Sequence, residues 1–330
     1  MQPVKILLNL QSQSIMQSHT ATIVMYHYVR DPGKSRYPNI KGMTKQGFIK
    51  QLNFIDRNYT IVRMEDCLEC IRGESKDFPE NAALLTFDDG YLEHFTEVFP
   101  ILDQRGVQGS FFPPVQSTLE GKVLDVNKIH FILASSDEPK KLLEVLKCEI
   151  KNMQSQYGLE DPEVYFNRID SSEHPYDPLE VVTFKRVLQR ELPLNARHQI
   201  ISRLFSEFVG VDEDVFSNEL YVNETQLKTM IRHGMFVGGH GYSHKWLDSI
   251  DEAEQKFELD QTERFLKSLG VEPQHYLICY PYGGYNSSLV HLLETSSFTA
   301  GLTTAPELAI LSKSKRFELS RIDTNEIGNK

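Results

Sequence analysis

Two adjacent aspartates, Asp88 and Asp89, follow Thr86-Phe87 and precede Gly90. The run in front of them, Asn81-Ala82-Ala83-Leu84-Leu85, is short and apolar and reads as a buried strand. Gly90 permits a sharp turn where that strand stops. Paired carboxylates at a buried strand end are costly, because like charges repel and each loses its hydration. A metal ion offsets that cost, with one Asp as a ligand and the other left free to handle protons. Taken alone, the pair reads equally well as an Asp-Asp-Gly turn on the surface.

A second strand end supplies what the first lacks. Met235-Phe236-Val237-Gly238-Gly239 breaks into glycine-rich backbone and delivers His240 and His244, four residues apart. That spacing puts both imidazoles on one face of a helix, and a tight strand-to-loop turn can also converge them. An Asp with two His makes an N2O donor set that suits one divalent ion. Zn2+ is the first choice, with Co2+, Ni2+ and Mn2+ as alternatives, and positions stay open for water and substrate. A lone pair of histidines at this spacing would be read as solvated loop residues; beside the Asp pair the metal reading is preferred.

The two motifs together resemble the polysaccharide deacetylase family (NodB homology, carbohydrate esterase family 4). The likeness extends through Tyr91–Gly106, Val107–Phe112 and Asn223–Gly234, and covers about residues 20–115 and 220–325. It implies that Asp88 is the general base and that Asp89, His240 and His244 hold the metal. Tyr280-Pro281-Tyr282-Gly283 resembles the family motif that shapes one wall of the groove, so Tyr280, Pro281 and Tyr282 are expected at the substrate, with the Tyr282 N–H binding the oxyanion. The family often has an Arg two residues before that Pro, bracing the catalytic Asp; here the position is Cys279. Arg321 is the candidate replacement, since a guanidinium fork can brace a carboxylate from another strand. An ordinary ion pair is the competing account of Arg321.

The family order normally closes on an aliphatic-x-His motif whose His is the general acid. Nothing after Tyr285 fits it, and His291 falls within a helical pattern. Ile23-Val24-Met25-Tyr26-His27 near the start does fit, and resembles the permuted branch that deacetylates poly-N-acetylglucosamine and related polymers. A closed barrel makes first and last strands neighbours, so His27 is expected as general acid, across the site from Asp88. A strand-end His satisfied by local hydrogen bonds is the plain alternative.

Apolar strand candidates at 22–27, 82–87, 107–112, 235–239, 275–280 and 298–303 alternate with helical patterns at 45–57, 64–72, 92–105, 224–233, 251–269 and 286–295. The alternation argues for a parallel α/β barrel with its functional groups at strand carboxyl ends. The resemblance narrows this to a distorted (β/α)7 barrel with a helical insertion. Residues 1–115 and 223–330 are assigned to the barrel. Residues 116–222 break the rhythm and read as helices; a cap, a substrate lid and a contact between copies in a homo-oligomer are the roles considered. His130 within them could enter the groove, and packing within its helix is the preferred reading.

The chain has 330 residues, 40% hydrophobic and 25% charged, enough for one large domain or a domain with an insertion. A net charge of −11 and a pI near 5.5 argue against nucleic acid or an anionic membrane as partner. No apolar run is long enough to span a bilayer. Lys5–Leu10 is too short for a signal sequence, so a cytoplasmic location is expected, with a non-standard export route left open. Four scattered cysteines suit a reduced protein, and Cys67 and Cys70 read as plain helix residues because no second pair completes a zinc site. The expected activity is hydrolysis of an N-acetylated carbohydrate. O-acetyl or N-formyl removal with the same residues, and a catalytically silent carbohydrate-binding protein, are the rivals.

Overall fold

The computed structural model describes residues 19–75, 77–170 and 177–328; the Lys5–Leu10 stretch lies outside them. The strands are β1 (His19–Tyr26), β2 (Thr60–Ile61), β3 (Ala82–Asp88), β4 (Ser110–Phe112), β5 (Phe236–Val237), β6 (Leu277–Cys279), β7 (Ala300–Leu302), β8 (Ala309–Leu311) and β9 (Ile322–Asp323). Every residue of β3 is buried, as expected of a parallel strand covered on both faces.

Pairing runs round a circuit. β1 lies parallel to β3 with Tyr26 opposite Phe87. β4 follows with Phe112 opposite Asp88, and β5 lies on β4. Gly239, just past β5, bridges to Ile278 of β6; β6 pairs with β7; Leu302 of β7 bridges to Leu319. Four residues later the same segment, as β9, sets Asp323 opposite Met25 of β1. β1, β3, β4, β5, β6, β7 and the 319–323 segment therefore close a distorted (β/α)7 barrel. The first strand stands beside the last, as the permuted order requires. β2 flanks the start of β3, and β8 runs antiparallel on the start of β1.

Every expected strand is present: β1 and β3 run slightly longer than expected, β4, β5, β6 and β7 have shorter paired cores, and β2, β8 and β9 are additional. The helices fall where periodicity puts them, with defined starts. Thr44 Oγ1 caps Lys45–Asn58 by accepting from the Gly47 N–H at 3.0 Å. Asn223 and Gln226 form a reciprocal cap on Glu224–Arg232. The expected helix over 92–105 is instead a π-helical turn, His94–Val98, followed by Phe99–Arg105. Pro100 lacks the N–H that would continue the ordinary ladder, and the Phe99 N–H reaches back to His94 O. Cys67 and Cys70 are buried free thiols within the helix Met64–Arg72.

Between β4 and β5 the chain forms a helical layer that includes Asp125–Ala134, Pro139–Tyr157, Leu179–Arg186, Leu194–Phe208 and Glu213–Leu220. Its apolar cluster contains Ile132, Leu146, Phe184 and Leu204 but also Tyr28 and Tyr91 from the barrel mouth. The layer's core thus continues into the barrel. Among the described residues no helix is long and apolar enough to cross a membrane.

Gly239 is fixed by packing. A Cβ there would lie 2.1 Å from Thr262 Cγ2. Thr262 is fully buried and pinned through its hydroxyl, which donates to Glu258 O at 2.7 Å. Gly239→Ala should destabilise the fold by about 1–3 kcal/mol, read as a lower midpoint in thermal melts. Adding Thr262→Ser removes the clashing methyl and should recover most of the loss.

Candidate active and metal site

Asp88 is the last residue of β3 and is 1% exposed. Arg321, just before β9, grips it with both arms of its guanidinium: Nη1 donates to Oδ1 at 2.8 Å and Nη2 to Oδ2 at 2.7 Å. Arg321 is itself buried. Its Nε donates to Thr303 O at 2.8 Å and its Nη1 reaches Thr86 Oγ1 at 3.3 Å. A bidentate, fully shielded pair of this kind fixes the carboxylate plane as well as its charge. Burial alone would raise the Asp88 carboxyl; the Arg321 guanidinium, with His240 and His27 behind it, outweighs that and holds it at about 2. Cys279 stands where the family's Arg is expected, and its Sγ lies 3.5 Å from each Asp88 oxygen.

Asp89 turns the chain off the strand with a left-handed backbone, φ 70°. Its Oδ2 accepts from Tyr91 Oη at 2.6 Å. Its Oδ1 is buried without a hydrogen-bond partner and faces His240 Nε2 at 3.4 Å and His244 Nε2 at 3.2 Å. His240 uses Nδ1 to donate to Cys279 O at 2.8 Å, so Nε2 is the nitrogen turned towards Asp89 and the one available to an ion. The ligand atoms of Asp89, His240 and His244 all lie within 4.8 Å of one another. Bonds of about 2.0–2.1 Å to a shared tetrahedral centre would set such atoms about 3.4 Å apart. The orphaned oxygen, the donor types and the spacing therefore fit a divalent ion.

The turn carrying the two histidines is held by Glu258, a buried carboxylate on the helix Glu252–Ser268. It accepts from the Tyr242 N–H at 2.7 Å and the Ser243 N–H at 3.0 Å. Asp89, His244 and Tyr282 are the non-glycine residues with positive φ among those described. Each costs about 1–3 kcal/mol in an unsupported chain, and all three are at this site.

His27 follows β1 with its side chain 42% exposed. Its Nε2 is 3.9 Å from Asp88 Oδ2, nearer than the expected position across the site. The buried His94 ring donates from Nε2 to His27 O at 2.8 Å; burial lowers His94 to about 4, so that ring is neutral. Tyr282 sits at a tight turn, φ 58° and ψ 8°, with its ring edge-on to His244 at 4.7 Å. It also stacks on Trp246 at 4.4 Å, and Arg190 from the helical layer packs on the same indole at 3.9 Å. Pro281 is buried against the histidine turn, its Cγ 3.5 Å from where a Cβ on Gly241 would lie.

Tyr280 is not where the motif suggested. Its side chain is fully buried in the barrel core, stacked on Tyr285, and its hydroxyl donates to Phe317 O at 2.9 Å. Inward and outward positions alternate along the strand end, and the ring at 280 takes the core side. His130 is half-buried and neutral, since desolvation pushes it down to about 3. It lines a small cavity of about 330 Å³ together with His27, Tyr28 and Tyr91. A larger cavity of about 1050 Å³ opens beside His244 and Tyr282, between the barrel and the helical layer, and includes Lys122, Asp125, Arg197 and Trp246 in its walls. Tyr91, His94, Trp246 and Glu258 carry no motif signal in the sequence. Only tertiary contact brings them to the site.

The Asp88–Arg321 pair has a measurable signature. A carboxyl held at about 2, below its unfolded value of about 3.9, stabilises the fold fully above pH ~4 and loses that contribution as pH falls toward 2. Arg321→Met strands the buried carboxylate and should cost about 3–5 kcal/mol. Adding Asp88→Asn should restore most of it, as read by thermal melts of the two variants at pH 7.

The family described as polysaccharide deacetylase matches residues 209–301, a stretch that includes His240, His244 and the Tyr280–Gly283 motif. A putative polysaccharide deacetylase, YxkH, of Bacillus subtilis (strain 168) is 27% identical over 89 residues; the match spans 27% of this chain and 32% of that protein. In fold, the chain is similar to the Streptococcus pyogenes deacetylase PplD in complex with acetate, with a TM-score of 0.52 at 16% identity over 93% of this chain and 92% of that one. IcaB from Ammonifex degensii gives a TM-score of 0.53, again at 16% identity over 93% and 92%. The family match covers the histidine half of the site, and the barrel brings the Asp88–Asp89 half to it. Over residues 209–301 the chain is similar to the polysaccharide deacetylase family, and over nearly its whole length its fold is similar to those of PplD and IcaB.

Proposed function

We propose that the chain is a metal-dependent hydrolase that removes the N-acetyl group of an amino sugar, in a polysaccharide or a glycan precursor. One observation carries this reading: Asp88 is ionised, oriented by Arg321 and outside the Asp89–His240–His244 set while directly beside it. A protein that only bound carbohydrate would need no such free carboxylate.

Asp89, His240 and His244 would hold the ion, with Zn2+ as first choice. Such an ion polarises a carbonyl and lowers the pKa of water. The rest belongs to the chain. Asp88 accepts the proton of the attacking water on a carboxylate oxygen, and Arg321 keeps that oxygen aimed. The Tyr282 N–H, presented at the tight turn, stabilises the charge that develops on the acyl oxygen. His27, exposed on one side and 3.9 Å from Asp88 on the other, donates a proton from Nε2 to the departing nitrogen. The cavity beside His244 and Tyr282 receives the sugar, with Trp246 offering a face for a ring and Lys122, Asp125 and Arg197 partners for hydroxyl groups.

The decisive experiment is acetate release from a panel of N-acetylated sugars and oligosaccharides, with and without Zn2+, Co2+, Ni2+ or Mn2+. Release that requires a divalent ion is expected; none from any member of the panel would sink the reading. His240→Ala and His244→Ala should lose the ion by elemental analysis. Asp88→Asn should keep it and lose turnover by about 10²–10⁴-fold.

His27 makes a separate prediction. Donation matters only where the leaving group needs a proton, so His27→Ala should lower kcat on an N-acetyl sugar by about 10²–10⁴-fold and far less on an activated aryl acetate. An equal loss on both substrates would assign the acid to another group.

A further inference from the structure

Asp89 is the one expected metal ligand whose second carboxylate oxygen is committed to the protein, and its partner is not part of the sequence motifs. Tyr91 Oη donates to Asp89 Oδ2 at 2.6 Å. Asn127 Nδ2 donates to Tyr91 Oη at 2.7 Å and to Tyr28 Oη at 3.0 Å. Tyr221 Oη donates to Asn127 Oδ1 at 2.5 Å and accepts from the Leu124 N–H at 3.1 Å. Asn127 and Tyr91 are fully buried and Tyr221 is 4% exposed. Asn127 lies in the first turn of the helix Asp125–Ala134, and Tyr221 ends the helix Glu213–Leu220. Both come from the stretch between β4 and β5.

The bonds run in one direction. From the Leu124 N–H through Tyr221 and Asn127 to Tyr91, each group donates towards Asp89. With the Asn127 amide N–H on its lone pair, the Tyr91 oxygen directs its own proton to Asp89 Oδ2. That bond sets the rotation of the carboxylate and leaves Oδ1 facing the two imidazoles. Outer partners of this kind fix a ligand's orientation and tune metal affinity, and buried chains of hydrogen bonds reinforce one another.

We infer that Asn127 and Tyr221, supplied by the helical layer, act through Tyr91 as positioning residues for Asp89 and so set the affinity of the metal site. The inference rests on the reading of Asp89, His240 and His244 as ligands. It makes the helical layer part of the metal site. Leu124 and Asp125, at the start of the same helix, line the larger cavity, so the turn that braces Asp89 also forms a wall of the space assigned to sugar.

The test uses the full chain stripped with a chelator. Zn2+ affinity is measured by chelator competition, and the Co2+ form is compared by its visible absorption spectrum, which reports ligand geometry. Tyr91→Phe should weaken Zn2+ binding by about 10–100-fold, Asn127→Leu should weaken it by about tenfold, and both should alter the Co2+ spectrum. Ile132→Val, a buried change on the same helix that takes no part in these hydrogen bonds, controls for lost stability and should leave both readouts unchanged. Wild-type affinity and spectrum in Tyr91→Phe and Asn127→Leu would overturn the inference, as would an equal loss in Ile132→Val. His240→Ala separates the two levels. If it abolishes binding while Asn127→Leu does not weaken it, only the positioning role fails; if it binds normally, the ligand assignment fails and takes the positioning role with it.

Discussion

Two neighbouring carboxylates, each almost completely buried, impose the constraint that organises this molecule. Neither tolerates burial unpaired, and they cannot share one counter-charge without losing their separate roles. The fold separates them by direction. The strand geometry of Asp88 sends its side chain to Arg321, while the left-handed backbone of Asp89 sends the next one to the two imidazoles. One carboxylate is thus neutralised by a permanent cation, and the other faces groups suited to hold a metal beside it. The barrel must close for this to happen, because Arg321 lies 233 residues from Asp88 in the chain.

The backbone strain follows from the same need. Asp89, His244 and Tyr282 adopt a conformation that side chains disfavour, and the first two are held by groups outside every motif. Glu258 ties the backbone between the histidines, and Tyr91 fixes Asp89. Gly283 follows Tyr282 at φ 73°, where a Cβ would collide with Thr304 Oγ1 at 2.2 Å. Local cost at the site is offset by contacts drawn from elements far away in sequence.

Much of this was legible in the sequence, for physical reasons. Buried parallel strands are continuous apolar runs, so β1, β3 and β5 announce themselves, and the functional types cluster where those runs stop. Asp88, Asp89, His240 and His244 sit at such ends, and Arg321 stood out because position 279 offers a thiol and not a guanidinium. What could not be read depends on contact alone. Segments as short as Ile322–Asp323 carry too little pattern to register as strands. The motif around Tyr280 points to the groove, but the alternation of side chains turns that ring into the core. Tyr91 and Asn127 carry no such signal, and only the folding of the stretch between β4 and β5 onto the barrel mouth brings them together behind Asp89.

Trp246 is the only tryptophan in the chain, and its indole touches Tyr282 on the barrel and Arg190 on the helical layer. Its emission therefore comes from one place, a junction between the site and the layer over it. A cation and a phenol ring against the indole set its brightness and colour. Anything that enters the adjoining cavity, or lifts the Arg190 turn away, changes what that single fluorophore sees. The molecule carries its own optical gauge of occupancy, readable without a label and in real time.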